Sequence, residues 1–353
     1  MDILNYEELK KADSSGMLAA LERLPVQCGS ACRDLAGSIV LPDIQAVSNI
    51  VITGLGGSAI GGDLLRVYTA DKIPVPVTVN RDYTLPGFVG PDTLVLAVSY
   101  SGNTEETLSA YEEARRRGAS IVAITTGGRL GELAREHGFP VIGVPAGIMP
   151  RSAIGYLFIP ALMILHRLGL LSDPAGDIMR MAGHIEEVRE RLGPAIPEEK
   201  NLAKQIALKL YNKIPVIWGA AGATEAVAQR WKGQINENAK APAYWNVFPE
   251  LNHNEIVGFQ FPAEILKKIH VIMLRDGQDH PRVQKRIEIT KRIISGAVDG
   301  YTEVWATGDN LLARLFSLIY TGDYASLYLA ALYGADPGPV RVIDYLKKEL
   351  RDS

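Results

Sequence analysis

Cysteine is nearly absent: Cys28 and Cys32 are the only two in 353 residues. Four positions apart, they would share one face of a helix. No second Cys or His pair lies near them, so they read as free thiols and not as a metal clip or a disulfide framework. That usage fits a reducing, cytoplasmic setting. Histidine is scarce too, at 137, 166, 184, 253, 270 and 280, with no H-E-x-x-H run and no Cys/His cluster. No metal is therefore expected. Long apolar runs are missing: GYLFIPALMIL is broken by Pro160 and closed by His166 and Arg167, too short to span a bilayer. The opening MDILNYEELKKAD has neither the apolar core nor the cleavage pattern of a signal peptide. Charge of one sign is not in excess, at a net −3, which gives no footing for nucleic acid or an anionic membrane.

What the chain does have is apolar residues in short, regularly spaced runs. SNIVITG, VPVTVN, TLVLAVS, ASIVAIT and PVIGV read as strands at 48–54, 75–80, 93–99, 119–125 and 140–144. Helical patterns (GDLLRVYTA, NTEETLSAYEEARRRG, RLGELAREHG) lie between them, and a long helix is expected at 152–168. Near-continuous apolar strands alternating with helices predict a parallel sheet covered on both faces. After a charge-rich segment the plan repeats, with IPVIWG, YWNVFP, HVIMLRD and TEVWAT as strands. IVITGLGGSAIGGDLL and PVIWGAAGATEAVAQRW open the two halves alike, each as strand, small-residue turn and helix. The reading is an α/β protein of two doubly wound parallel-sheet domains, at 1–175 and 195–353. Ligand sites are expected at the carboxyl ends of the strands.

Gly54-Leu-Gly56-Gly57-Ser58-Ala59 fits the dinucleotide fingerprint G-x-G-x-x-A. A dinucleotide site also wants an acid at the end of the second strand. VPVTVN ends in Asn80-Arg81, with Asp82 late, a pattern that only NADP would tolerate. The glycines alone account for a tight turn and close helix packing. They do not account for SYSGNTEET, where Ser99, Ser101 and Thr104 surround Gly102 as the third strand gives way to a helix. The unpaired first-turn N–H groups and the helix dipole favour an anion there. One serine satisfies an N-cap, whereas three hydroxyls beside a glycine make a neutral cradle for a phosphate. No Walker lysine accompanies it, so a nucleotide triphosphate is not implied.

SYSGNTEET resembles the S-x-S-G-x-T-x-E loop of the sugar isomerase (SIS) domain, which holds sugar phosphates, and GLGGSAIGG resembles that domain's first ligand-side loop. Two such domains in one chain of this length resemble the bifunctional phosphoglucose/phosphomannose isomerases. INENAKAPAYWNVFPELNHNEIVG, at 235–258, carries the most specific part of the likeness. An aldose–ketose isomerase needs one carboxylate base, held partly dry so that its pKa rises toward neutrality. Glu237, flanked by asparagines, and His253, in LNHNE, match the family's glutamate-to-histidine arrangement. The resemblance makes the glutamate the base, and makes the histidine a ring-opening group from the neighbouring subunit of a homodimer with shared sites.

Two cations complete the resemblance. Arg151, in IMPRSAIGYL, matches a P-R-x-x-x-G-Y segment whose arginine would stabilise an enediolate. Lys347, or its neighbour Lys348, in VIDYLKKEL, matches a ring-opening lysine near the chain end. The family often has a threonine in a D-P-T-P-V motif before that lysine, linked to use of mannose 6-phosphate; here the chain reads Asp336-Pro-Gly338-Pro-Val340. The implied function is metal-free and cofactor-free isomerisation of glucose 6-phosphate and fructose 6-phosphate, with mannose 6-phosphate left open by the missing threonine. Gly57, Ser58, Ser99, Ser101 and Thr104 would hold the substrate. The partner is a small sugar phosphate, with no nucleic acid and no membrane. Alternatives are another SIS-domain sugar-phosphate isomerase, a non-catalytic sugar-phosphate sensor and, more remotely, an NADP dehydrogenase.

Overall fold

The computed structural model describes residues 4–35, 41, 44 and 47–352. Helices α1 (Tyr6–Ala12), α2 (Met17–Glu22) and α3 (Leu24–Leu35) precede the first sheet. There follow β1 (Asn49–Thr53), α4 (Gly57–Thr69), β2 (Val77–Asn80), β3 (Thr93–Val98), α5 (Glu105–Arg116), β4 (Ser120–Thr125), α6 (Gly128–Glu136) and β5 (Val141–Gly143). These strands are parallel, in the order β2-β1-β3-β4-β5. Helices α7 (Ile154–Arg167), α8 (Ala175–Leu192) and α9 (Leu202–Leu210) lead to the second sheet. It comprises β6 (Ile214–Ala220), β7 (Tyr244–Phe248), β8 (Ile269–Arg275) and β9 (Gly300–Trp305), again parallel, in the order β7-β6-β8-β9. Helices α10 (Glu225–Asn238), α11 (Ala263–Leu266) and α12 (Pro281–Ile294) connect them, and α13 (Leu311–Leu332) and α14 (Arg341–Asp352) close the chain. All nine strands expected from sequence are present, and the fold is the two-sheet α/β arrangement read from it.

The period-2 geometry of each strand sorts its residues between two cores. Ile50, Ile52, Leu94, Leu96, Val122 and Ile124 face one continuous core, which also takes Ile217, Ile272 and Leu274 from the second sheet. Their neighbours Val51, Val95, Ala97, Ile121 and Ala123 face a separate core under α5 and α6. Val216, Trp218, Val271 and Met273 face a third, with Ile287 and Ile294 of α12. The shared core joins the halves, and α13 runs through it against α8, α9 and α10. Among the described residues, α13 is the one helix long and apolar enough to cross a bilayer, and 89% of its most apolar window is buried inside the fold. Pro160 sits inside α7 without ending it; burial on every side outweighs the roughly 3 kcal/mol such a residue costs a helix. Cys28 and Cys32 are free thiols buried on α3, and burial pushes both up from the usual thiol range.

Just past β8, Asp279 is buried and its Oδ1 has no hydrogen-bond partner among the described residues, while Oδ2 accepts from the Asp276 N–H at 3.2 Å. Burial, reinforced by the Asp276 carboxylate, pushes its pKa up to about 6. A folded-state pKa above the unfolded value means that the folded protein binds the proton more tightly. The carboxylate therefore carries a stability cost that is full above about pH 6 and lost as pH falls toward the unfolded value near 4. Relative to the parent, Asp279→Asn is expected to gain about 2 kcal/mol between about pH 4.5 and pH 8. Urea unfolding at both pH values reads this difference, and a gap that does not change with pH counts against the assignment.

Candidate active site

The glycine turn after β1 is tight because two backbones meet there. A Cβ on Gly54 would lie 2.7 Å from the carbonyl oxygen of Val98, and one on Gly57 would lie 3.2 Å from that of Pro150 and 3.3 Å from the Cα of Arg151. The turn thus packs directly on the short 3₁₀ turn Pro150–Ser152, which holds Arg151 ahead of α7. The long helix expected at 152–168 begins at Ile154, and a 3₁₀ turn with Pro150 at its head carries Arg151 just before it.

Arg151 is buried, and its guanidinium is held on three sides. Nε donates to Asn238 Oδ1 at 2.7 Å, and Nη2 donates to the carbonyls of Pro337 and of Gly338, the latter at 2.9 Å. Nη1 faces Glu237 Oε2 at 3.4 Å, a long contact. A guanidinium has five N–H donors, so Nη1 keeps capacity for an incoming oxygen. Burial pulls Arg151 below its usual pKa, and the Glu237 carboxylate works against that pull. Glu237 lies in the last turn of α10, with its side chain 31% exposed.

Both side chains line a cleft of about 360 Å³ between the halves, with Gly57, Arg81, Lys232 and Trp245 also on its wall. Among the described residues, its charged lining is four cations (Arg81, Arg151, Arg230 and Lys232) against the single carboxylate of Glu237. Two of these are paired: Arg81 with Asp63, and Arg230 with Asp323. The cleft meets the first sheet at its carboxyl edge, as expected. It meets the second sheet at the opposite edge, through the end of α10 and the start of β7. This departs from the sequence expectation for a plain reason: a helix joining two adjacent parallel strands must run back along them, so its carboxyl end returns to where the strands begin.

Lys240 follows α10 in the left-handed region, at φ +56°. Its ammonium donates to the carbonyls of Glu237, Pro337 and Pro339, the last at 2.7 Å. Burial, with Arg151 close by, lowers its pKa. Arg151 and Lys240 together hold the 336–340 segment against the end of α10, where the helix dipole favours cations. At Gly338 a Cβ would fall 2.1 Å from Ser15 Oγ, while Ser14 Oγ donates to Asp336. No other side chain fits position 338 without moving the α1–α2 connection.

The hydroxyl loop has the backbone that sequence implied. Gly102 is left-handed at φ +71°, and its Cβ would lie 1.9 Å from the carbonyl oxygen of Gly127. Ser99 Oγ meets Thr104 Oγ1 at 2.9 Å and accepts from the Gly102 N–H at 3.1 Å, while Ser101 is exposed. Thr104 stands at the N-cap of α5 without a side-chain cap bond. The glycine pair 127–128, which sequence reasoning passed over, pins this loop from the β4 side; a Cβ on Gly128 would fall 3.0 Å from Asn103 Oδ1, which accepts from Arg129 N at 3.0 Å. Ser99, Ser101 and Thr104 lie at the neighbouring strand end and are not on the cleft wall. Ser58 is buried in the first turn of α4 and is not on the wall either. His253 ends a short 3₁₀ turn after β7 and is exposed. Lys347 is exposed on α14, one turn beyond Ile343, which does line the cleft.

Residues 199–350 match the family described as the bacterial phospho-glucose isomerase C-terminal SIS domain. Residues 43–142 match the SIS domain. The bifunctional phosphoglucose/phosphomannose isomerase of Caldicellulosiruptor bescii is 53% identical over 336 residues, covering 95% of this chain and 99% of that protein. A protein of the same description from Aquifex aeolicus is 38% identical, over 88% of this chain and 93% of its own. In fold, the chain resembles a solved hypothetical protein from Thermus thermophilus, with a TM-score of 0.74 at 16% identity, covering 98% of this chain and 94% of that one.

The contact between the two glycine loops gives a direct test. Gly102→Ala forces a left-handed alanine into the carbonyl of Gly127, and is expected to cost about 2 kcal/mol or more of stability. Urea unfolding within about 0.5 kcal/mol of the parent would show that this loop is not locked as described.

Proposed function

The chain belongs to the bifunctional phosphoglucose/phosphomannose isomerase family, and we propose that it interconverts glucose 6-phosphate, mannose 6-phosphate and fructose 6-phosphate by proton transfer through an enediolate. The observation that carries this reading is the Arg151–Glu237 pair, a buried guanidinium 3.4 Å from a partly exposed carboxylate on the wall of a cationic cleft. Glu237 takes the C2 proton of the open-chain aldose, and the electron pair passes through C1 to its oxygen. Arg151, through Nη1, stabilises the negative charge on that oxygen. The proton then returns to C1, the C2 hydroxyl passes its own to the C1 oxygen, and the ketose results. Return to the other face of C2 yields the epimeric aldose. His253 and Lys347, or its neighbour Lys348, open the ring. Ser99, Ser101 and Thr104, with the Gly57-Ser58 turn, receive the phosphate. For mannose 6-phosphate, the description of the 53% identical relative outweighs Gly338.

The two domains of this reading are 1–175, with the phosphate loops, and 195–353, with the base and the terminal lysine. The active unit is a homodimer in which His253 serves the partner's cleft. In support, large apolar side chains stand exposed on the segments that carry the two missing groups. Tyr244, Val257 and Phe261 flank His253 in sequence, and Val342, Leu346 and Leu350 lie along α14. Exposed apolar surface of that extent marks a docking face. A small sugar phosphate is the partner in the cleft, with no nucleic acid and no membrane, in a cytoplasmic setting; the net charge of −3 and two free thiols fit this.

The purified protein, with chelator present, is expected to convert fructose 6-phosphate into both glucose 6-phosphate and mannose 6-phosphate. Glu237→Gln is expected to lose about a thousandfold in both directions, or roughly 4 kcal/mol of barrier. A variant that keeps a tenth of the rate removes Glu237 from the chemistry. Sharing of sites is read by mixing Glu237→Gln with His253→Ala after reversible dissociation. Random pairing should return about a quarter of wild-type sites, and no recovery would mean that each chain uses its own histidine.

A further inference from the structure

A buried ion pair runs back from the cleft wall, where Arg230 stands, to a residue behind it. Arg230 of α10 and Asp323 of α13 are each 3% exposed. The two helices come close because of a glycine: a Cβ on Gly322 would fall 2.2 Å from Trp231 Nε1, whose N–H donates to the carbonyl of Leu318 at 2.9 Å. Asp323 then accepts from Arg230 Nε at 3.0 Å, from Arg230 Nη2 at 2.6 Å and from Gln234 Nε2 at 2.9 Å.

Two chains of hydrogen bonds run from Asp323 to Arg151. In the first, Arg230 Nη2 also donates to the main-chain carbonyl of Arg151 at 2.9 Å. In the second, the carbonyl of Asp323 accepts from Ser326 Oγ at 2.7 Å, Ser326 Oγ accepts from Asn238 Nδ2 at 2.8 Å, and Asn238 Oδ1 accepts from Arg151 Nε at 2.7 Å. The backbone of Arg151 is thus referred to the Asp323 carboxylate, and its guanidinium to the Asp323 main-chain carbonyl, on a residue that is not on the cleft wall. Arg230, Gln234 and Asn238 recur every four positions on α10, one face of that helix, and Glu237 is the residue before Asn238. Burying such a pair gives little net stability compared with apolar residues of the same volume. What the arrangement supplies is direction.

We propose that Asp323 is a positioning residue for the isomerisation: acting through Arg230 and through Ser326 and Asn238, it sets the angle at which Arg151 presents Nη1 beside Glu237. This rests on the reading of Arg151 and Glu237 as the catalytic pair. Misplacement of a reacting group by about 1 Å costs on the order of a hundredfold in rate.

Asp323→Asn is accordingly expected to lower kcat by about 30- to 100-fold with KM within about threefold. The decisive readout is coupling. In an Arg151→Lys background, where no guanidinium fork remains for the backbone to aim, Asp323→Asn should cost less than about a further threefold. The same factor in both backgrounds, or a raised KM with kcat intact, overturns the proposal in favour of a merely structural pair. Should Asp323→Asn fail to fold by near-ultraviolet circular dichroism, Ser326→Ala severs the guanidinium route alone. It is expected to lose about 5- to 10-fold in kcat, and again to lose far less with Lys at 151; unchanged kcat overturns the proposal. Glu237→Gln measured alongside separates the two readings. If it stays active, the assignment of the pair fails. If it is dead while the Asp323 and Ser326 variants match wild type, only the positioning role fails.

Discussion

One buried guanidinium ties together three stretches of chain that are far apart in sequence. Arg151 reaches the end of α10 through Asn238, the segment before α14 through the carbonyls of Pro337 and Gly338, and the first glycine turn through the packing of Gly57 on its backbone. Taking a guanidinium out of water is tolerable only when nearly all its donors are met. Here four of its five N–H groups have a partner or a near partner, and the remaining capacity points into the cleft. The same economy of donors explains Lys240, which satisfies carbonyls of the 336–340 segment at the cost of a left-handed backbone. The cleft is therefore shaped by main-chain carbonyls as much as by side chains.

Topology supplies the surfaces that this guanidinium joins. In each sheet the first strand lies inside, with its helix crossing to an outer partner, so each sheet has one point where the strand order reverses. The first sheet uses that point for its glycine turn and, one strand along, for the hydroxyl loop. The second sheet contributes the far end of α10. The halves are similar in plan but not in role: one offers backbone N–H groups and hydroxyls, the other a carboxylate.

Most of the fold was legible because strands buried on both faces leave apolar runs that nothing else in the chain imitates. The glycine turn and the hydroxyl loop were legible because left-handed positions and close approaches admit few residue types; Gly102 is the clearest case. Arg151 and Glu237 were picked out by their motifs, and the chain brings them together. Other participants left no comparable trace. Lys240 looks like any surface lysine until its carbonyl partners are known. Asp323 is a lone acid in the apolar run IYTGDYASLYL, and its meaning depends on an arginine 93 positions away. That the cleft would lie at the starting edge of the second sheet follows from the path of α10 in space, which spacing alone does not record. His253 and Lys347 are exposed and do not line the cleft.

Helix α13 has a bearing on how the protein is made. It is the element against which α8, α9 and α10 all pack, yet it is encoded after every strand of both sheets. A ribosome delivers the chain from its amino end, at roughly 5–20 residues per second. Until α13 arrives, the inner faces of the preceding helices are assembled around a space with nothing in it. The first sheet packs on α4 to α7, whereas α8, α9 and α10 wait for the helix they share. The joint between the halves is therefore the last part of the shared core to be completed during synthesis.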